Sequence, residues 1–204
     1  GRSVLVVTVR EKTIGPDYLR FGLGLASDFA GESTFNALAS YRRAWLNRLG
    51  GEWLVEAQIG REHYLFTEFY QPLHKRGRFF VAPYAQLGQY TRGVYARDRR
   101  VAEYRIREWR GGLDLGATLG TSAEVRVGPL LRRIEARTHT GSPILPSLDA
   151  TTSGLRLRVF ADRHDAPWFP RSGYRGVLSA FATSDALGAD DRYRRLEGLW
   201  TAAT

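Results

Sequence analysis

The chain has no cysteine and no methionine. Without cysteine there are no disulfides and no thiolate metal sites. Lysine is nearly missing too: of 30 Lys and Arg residues only Lys12 and Lys75 are lysine, leaving 28 arginines. No run approaches the roughly 18–20 consecutive apolar residues of a helical membrane span. Capped amphipathic helices are equally scarce. The usual catalytic signatures are missing. Gly31-Glu32-Ser33-Thr34-Phe35 fails the G-x-S-x-G pattern at its last position, and there is no H-E-x-x-H or P-loop. Gly22-Leu23-Gly24 falls inside an alternating segment, where glycine permits close backbone approach rather than cradling a phosphate. His63, His74, His139 and His164 all fall in expected turns or loops, without metal-ligand partners at helix or strand spacing. No catalytic, cofactor-binding or metal-binding residue is therefore assigned, and no cofactor is expected. An enzyme on this segment would have to use Ser33 with His63, the nearest available pair.

What is present is charge and alternation. The 204 residues carry a net charge of +9, with 43% hydrophobic and 12% aromatic residues, too many for a disordered chain. A basic balance raises the question of nucleic acid. However, the arginines are spread along the chain at alternate positions of strand-like segments, as at Arg20, Arg126, Arg156, Arg158 and Arg175. Glu52, Glu56, Asp114, Glu124 and Asp162 share that polar face and balance it, so no nucleic-acid partner is expected.

Period-2 alternation dominates. Leu19, Phe21, Leu23 and Leu25 alternate with residues that include Arg20; Trp53, Val55, Ala57 and Ile59 with Glu56 and Gln58. Phe79 and Val81 begin a third such run, and Leu113, Leu115, Ala117 and Leu119 flank Asp114 in a fourth. Ala123, Val125 and Val127 flank Arg126, and Leu155, Leu157 and Val159 flank Arg156 and Arg158. Segments 34–46, 64–72, 173–183 and 192–203 fit less cleanly, and Arg43 falls on the apolar face of its segment. Turn residues punctuate the runs at 47–51, 74–77, 120–122 and 162–173, with further connections that include 138–150 and 183–191. About ten antiparallel strands are expected after residue 16, with a shorter separate strand at Val4–Arg10.

Alternation of this kind serves either a soluble sandwich or a membrane barrel. Three features favour the barrel. The 101–119 run is far longer than the soluble mean of about 5–6 residues. The non-apolar face is rich in charge, as a wet lumen requires. Aromatic residues such as Trp45, Trp53, Phe79 and Phe169 gather where strands meet turns, in the manner of an interfacial girdle. The expected fold class is all-β, an antiparallel transmembrane β-barrel. Leu19, Phe21, Leu23, Leu25, Val55, Ile59, Val81, Leu113, Leu115, Leu155, Leu157 and Val159 are expected to face lipid. Arg20, Glu56, Gln58, Asp114, Arg126, Arg156 and Arg158 are expected to face the lumen.

Two stretches carry a family likeness. Val4–Lys12 followed by Gly15–Leu23 resembles the junction between a periplasmic POTRA module and an outer-membrane barrel, in the version found in patatin-like phospholipases that carry their own barrel, the type Vd autotransporters. Residues 162–173, with Asp162, Asp165, Pro167, Phe169, Pro170 and Gly173, resemble the D-x-x-D-x-P-x-F-P-x-x-G periplasmic hairpin of the bacterial surface-antigen barrel superfamily. The resemblance implies the last strand of a POTRA module over residues 1–14 and part of a sixteen-stranded barrel over residues 15–204. It also implies a bacterial outer-membrane location and an upstream patatin-like esterase that the barrel anchors or exports. Its later V-R-G-F-type loop and aromatic terminal strand are absent from these residues. Because the segment starts and stops within the alternating pattern, an excerpt of a larger barrel is expected, with a complete ten-stranded barrel as the competing reading. Outer-membrane lipid and the attached POTRA and esterase domains are the expected partners, with a second copy of the chain as a further candidate. A soluble sandwich binding module and a barrel of the protein-assembly type without an esterase are the alternatives.

Physical chemistry alone also gives residues 162–173 the character of a hairpin. Pro167 and Pro170 remove ladder donors, Asp162 and Asp165 can accept turn N–H bonds, and Gly173 can adopt positive φ.

Overall fold

A computed structural model describes residues 17–27, 33–97, 99–141, 146–166 and 169–203. The POTRA strand expected over residues 1–14 lies outside the described residues, as do Pro167 and Trp168. The described chain forms β1 (Asp17–Ser27), β2 (Ser33–Arg43), β3 (Glu52–Gly60), β4 (His63–Pro72), β5 (Phe79–Ala96), β6 (Arg99–Leu119), β7 (Ala123–Thr140), β8 (Leu148–Thr151), β9 (Gly154–Asp162), β10 (Gly173–Thr183) and β11 (Arg194–Ala203). A single 3-10 turn, Asp185–Leu187, interrupts the β10–β11 connection.

All strands belong to one antiparallel sheet. Its neighbours follow chain order from β1 to β7 and then β9, β10 and β11, while β8 pairs with the far end of β7. The sheet is sheared. One ladder row runs through Tyr18, Arg42, Leu54, Glu68, Tyr84, Gly112, Leu130, Gly154 and Thr183. It starts near the beginning of β1 and finishes at the last residue of β10, which lies at the opposite rim. Tilted strands with a steady stagger are what a sheet needs in order to curl into a barrel.

The sheet also curves, with its polar face concave. Glu68 on β4 and Arg126 on β7 bond at 2.7 Å although β5 and β6 lie between them. In a flat sheet, strands three places apart are separated by about 14 Å, at about 4.8 Å per step. Tyr84, Leu130 and Phe181, from β5, β7 and β10, likewise meet in one cluster, with Phe66 and Tyr193 packed on it.

The core is therefore turned inside out relative to a soluble sheet. The buried residues include Phe80, Ala82, Tyr84, Leu130, Phe181 and the carboxylate of Asp114, on the concave face. On the convex face Phe21, Leu23 and Leu25 are among the most exposed side chains of the molecule.

Two glycines of β6 let large rings lie flat inside the curve. A Cβ at Gly116 would come within 2.0 Å of the Phe80 ring, and one at Gly112 within 2.4 Å of the Tyr84 hydroxyl. Covering a strand glycine with a cross-strand aromatic restores the packing that glycine lacks. Hence Gly111-Gly112 does not break β6, which runs 21 residues.

Expected boundaries are corrected at two places. His63 and His139, expected in turns or loops, lie in β4 and β7, and residues 138–150, read as a connection, contain the end of β7 and most of β8, so the described residues form eleven strands. The apolar alternation stops there because Arg133, Glu135 and Arg137 occupy the convex face.

Candidate functional site: an apolar outer band and a charged inner wall

Residues directly opposite each other in antiparallel strands project to the same face. The convex face is thus traced from pair to pair: Leu23, Ala37 and Ile59; Val81, Leu115, Val127, Leu157, Ala180 and Leu196. All twelve residues expected to face lipid lie on it. Leu19, Phe21, Leu23, Leu25, Ile59, Leu113, Leu115, Leu155 and Leu157 are exposed, and Val55, Val81 and Val159 are half-buried between neighbours.

The height of this band can be read from β6, where Trp109, Leu113, Leu115, Ala117 and Leu119 share the convex face. From Trp109 to Leu119 is about 34 Å of strand at about 3.4 Å per residue. A barrel tilt of about 40° reduces that to about 26 Å, against the roughly 25 Å apolar belt of a membrane barrel. Trp109 closes the band at one rim; Trp53 and Phe69, paired across β3 and β4, and Phe79 lie toward the other.

The concave face carries the expected polar set. Asp114, 1% exposed, accepts from Arg158 Nη2 at 2.7 Å and from Arg156 Nη2 at 3.2 Å. Arg126 lies 3.9 Å from the same carboxylate and bonds to both Glu68 and Glu124. The network is stacked on aromatic rings, with Arg126 over Phe80 at 5.1 Å and Arg156 over Tyr84 at 4.8 Å. Further along, Arg132 forms a two-pronged pair with Glu108, both bonds at 3.0 Å, and Arg110 donates to Gln86 at 2.6 Å. Glu56 accepts from Ser40 at 3.2 Å, and Gln58 donates to the Glu62 carbonyl at 3.3 Å. Arg20 is exposed and opposite Ser40. Such paired charges rigidify a wall and offer its lumen alternating donors and acceptors.

Sequence alone left Glu68, Glu108 and Arg132 unassigned. Their pairing depends on curvature and register, and in β4 the inward face also carries Phe66 and Tyr70, which blur the alternation. Arg43 ends β2 opposite Asp17 and Trp53, and its Nε is 3.7 Å from the Asp17 carboxylate, at the edge of the band.

The hairpin at 162–173 is built by its acids. Asp162 accepts the His164 N–H at 3.1 Å, and Asp165 accepts those of Arg171 at 2.9 Å and Ser172 at 3.2 Å. These N–H bonds, Ser172 foremost, hold the Asp165 carboxyl below the ordinary carboxylate range. Gly173 has φ 106°, and a Cβ there would meet the Arg163 carbonyl oxygen at 2.1 Å. Phe169 is 87% exposed and Pro170 half-buried. The hairpin is tied to the β6–β7 turn, because Asp162 N–H and Arg163 Nε both donate to Ser122.

No family model and no curated protein matches the chain. Among solved structures it is similar to the crystal structure of BamA from Haemophilus ducreyi lacking POTRA domains 1-3, with a TM-score of 0.70 at 12% identity, covering 92% of this chain. That match takes in 37% of the BamA chain, so the residues here span little more than a third of its length. In fold, the chain is an antiparallel all-β sheet of the BamA barrel type.

Proposed function

We propose that this chain forms the wall of a bacterial outer-membrane β-barrel, with its convex face in lipid and its charged concave face lining a wet lumen. The carrying observation is the inversion of burial: Asp114 is enclosed at 1% exposure while Leu23 and Leu25 remain 85% exposed on the other face. In water an apolar surface running over strand after strand would cost far more than the few hundred Å² that soluble monomers usually expose. In hydrocarbon it costs nothing, and the sheet satisfies its backbone groups internally. Among the described residues no second layer covers that face, as a sandwich would require.

The finer reading is that the barrel anchors, and exports, an attached patatin-like lipid esterase, while this segment performs no chemistry itself. The POTRA-like junction and the D-x-x-D-x-P-x-F-P-x-x-G hairpin support it. A second reading, an assembly or translocation barrel without an esterase, is favoured by the likeness to BamA. Expression of the complete protein, followed by membrane fractionation and a lipid-ester hydrolysis assay, tests both levels. Recovery in the outer membrane with esterase activity supports the finer reading, and recovery there without it supports the second. Recovery in the aqueous fraction without detergent would refute the barrel.

A further inference from the structure

Beyond Trp109 the convex face changes character. β6 and β7 continue upward, and their outward positions become Arg107 opposite Glu135 and Arg105 opposite Arg137. Two guanidiniums facing each other across a ladder repel. Among the described residues no carboxylate comes within 4.0 Å of Arg105, Arg107 or Arg137, whereas most inner-wall arginines have one. Glu135 leans instead toward Arg133, at 3.8 Å, and Arg133 is engaged by Asp149 at 2.9 and 2.6 Å. Arg107 and Arg137 are exposed; Arg107 touches Gln89 at 3.2 Å, and Arg105 touches the His139 ring at 3.0 Å. Arg105, Arg107, Glu135, Arg137, Thr138 and His139 line a cleft of about 240 Å³. Its walls hold three guanidiniums to one carboxylate.

The height of the cleft identifies what it meets. Arg107 and Arg105 are two and four residues past Trp109, about 7 and 14 Å along the strand, or about 5 and 10 Å along the normal at a tilt of about 40°. Headgroups occupy roughly the 5–8 Å outside each side of the hydrocarbon. Arg107 is rooted within that layer and Arg105 and Arg137 just above it, within an arginine side chain's reach of lipid phosphates, for which guanidinium is the two-pronged partner.

We infer that the Arg105–Arg107–Arg137 cleft is a binding site for the phosphate groups of an anionic lipid, seated beside the barrel with its acyl chains on the apolar band below. The inference rests on the membrane-barrel reading. Removing both Arg105 and Arg137 is expected to weaken binding roughly thirtyfold, at about fivefold per arginine near an anionic surface.

The test uses the full chain in zwitterionic micelles, titrated with a diphosphorylated glycolipid (lipid A) or with phosphatidylcholine, with bound lipid counted by native mass spectrometry. The wild type should hold the diphosphorylated lipid at least tenfold more tightly. R105Q/R137Q should lose about thirtyfold, and R48Q, in the β2–β3 turn at the other rim, should lose nothing. If the double variant does not refold, R137Q alone should lose about fivefold. Absence of lipid preference, an equal loss in R48Q, or full displacement by millimolar inorganic phosphate would each overturn the inference. Failure of the chain to insert into bilayers would instead count against the barrel itself, whereas insertion without lipid preference sinks only this site.

Discussion

Replacing Leu115 by arginine separates a lipid-facing band from a wet apolar surface by magnitude. Leu115 lies near the middle of the convex stripe of β6, between Val81 and Val127, and is 55% exposed. If that face met water, the substitution would be a surface change within about 0.5 kcal/mol. In a bilayer it puts a guanidinium near the midplane, at a cost of about 2–4 kcal/mol. The middle of that range is about two decades in the folded-to-unfolded ratio at 1.4 kcal/mol per decade. The cost must also depend on depth. Leu119, at the turn end of the same stripe, should lose only about 0–1 kcal/mol when made arginine. Guanidinium unfolding of the vesicle-inserted chain, followed by emission of its 5 tryptophans, measures both. Equal losses at the two positions, or a loss under about 0.5 kcal/mol at Leu115, would refute the assignment of this face to hydrocarbon.

Two other expectations concern the inner wall and the hairpin. Asp114→Asn leaves Arg156 and Arg158 without their shared carboxylate and should destabilise the inserted chain by about 3–5 kcal/mol; adding Arg158→Leu should recover part of that loss in a double-mutant cycle, and strict additivity would contradict the network. The Asp165 carboxyl has a lowered folded pKa, so its contribution is complete above the ordinary carboxylate range and is lost as pH falls through and below it. Hydrogen exchange at the Arg171 and Ser172 amides, corrected for the intrinsic pH dependence, should show protection falling below about pH 4, the ordinary carboxylate value, and Asp165→Asn should abolish that pH response. A response that survives the substitution would assign it to another group.

The strands that could be read from sequence were those with one uniform environment on each side. Leu113 to Leu119 and Leu155 to Val159 alternate because one face is apolar throughout and the other is charged. β4 and β10 blur because Phe66, Tyr70 and Phe181 turn inward to fill the concavity. The distal ends of β5 to β7, and all of β8, carry polar groups on the convex face, so the period-2 cue fades although the ladder continues. Charge partners were illegible for a different reason. Glu68 and Arg126 are 58 positions apart and meet only because the sheet bends. The hairpin was legible because its determinants are local: two acids capping nearby amides and one glycine at positive φ.

The central claim can be tested by scanning nitroxide labels along β1 from Leu19 to Gly24 in bilayers, an approach that the cysteine-free sequence makes direct. The labels at Leu19, Phe21 and Leu23 should collide readily with oxygen and hardly with a water-soluble nickel chelate, and those at Arg20, Gly22 and Gly24, where a side chain meets no close contact, should show the opposite bias. Oxygen-shielded labels at the three odd positions, or no alternation at all, would mean that the apolar face is packed against protein and does not touch lipid.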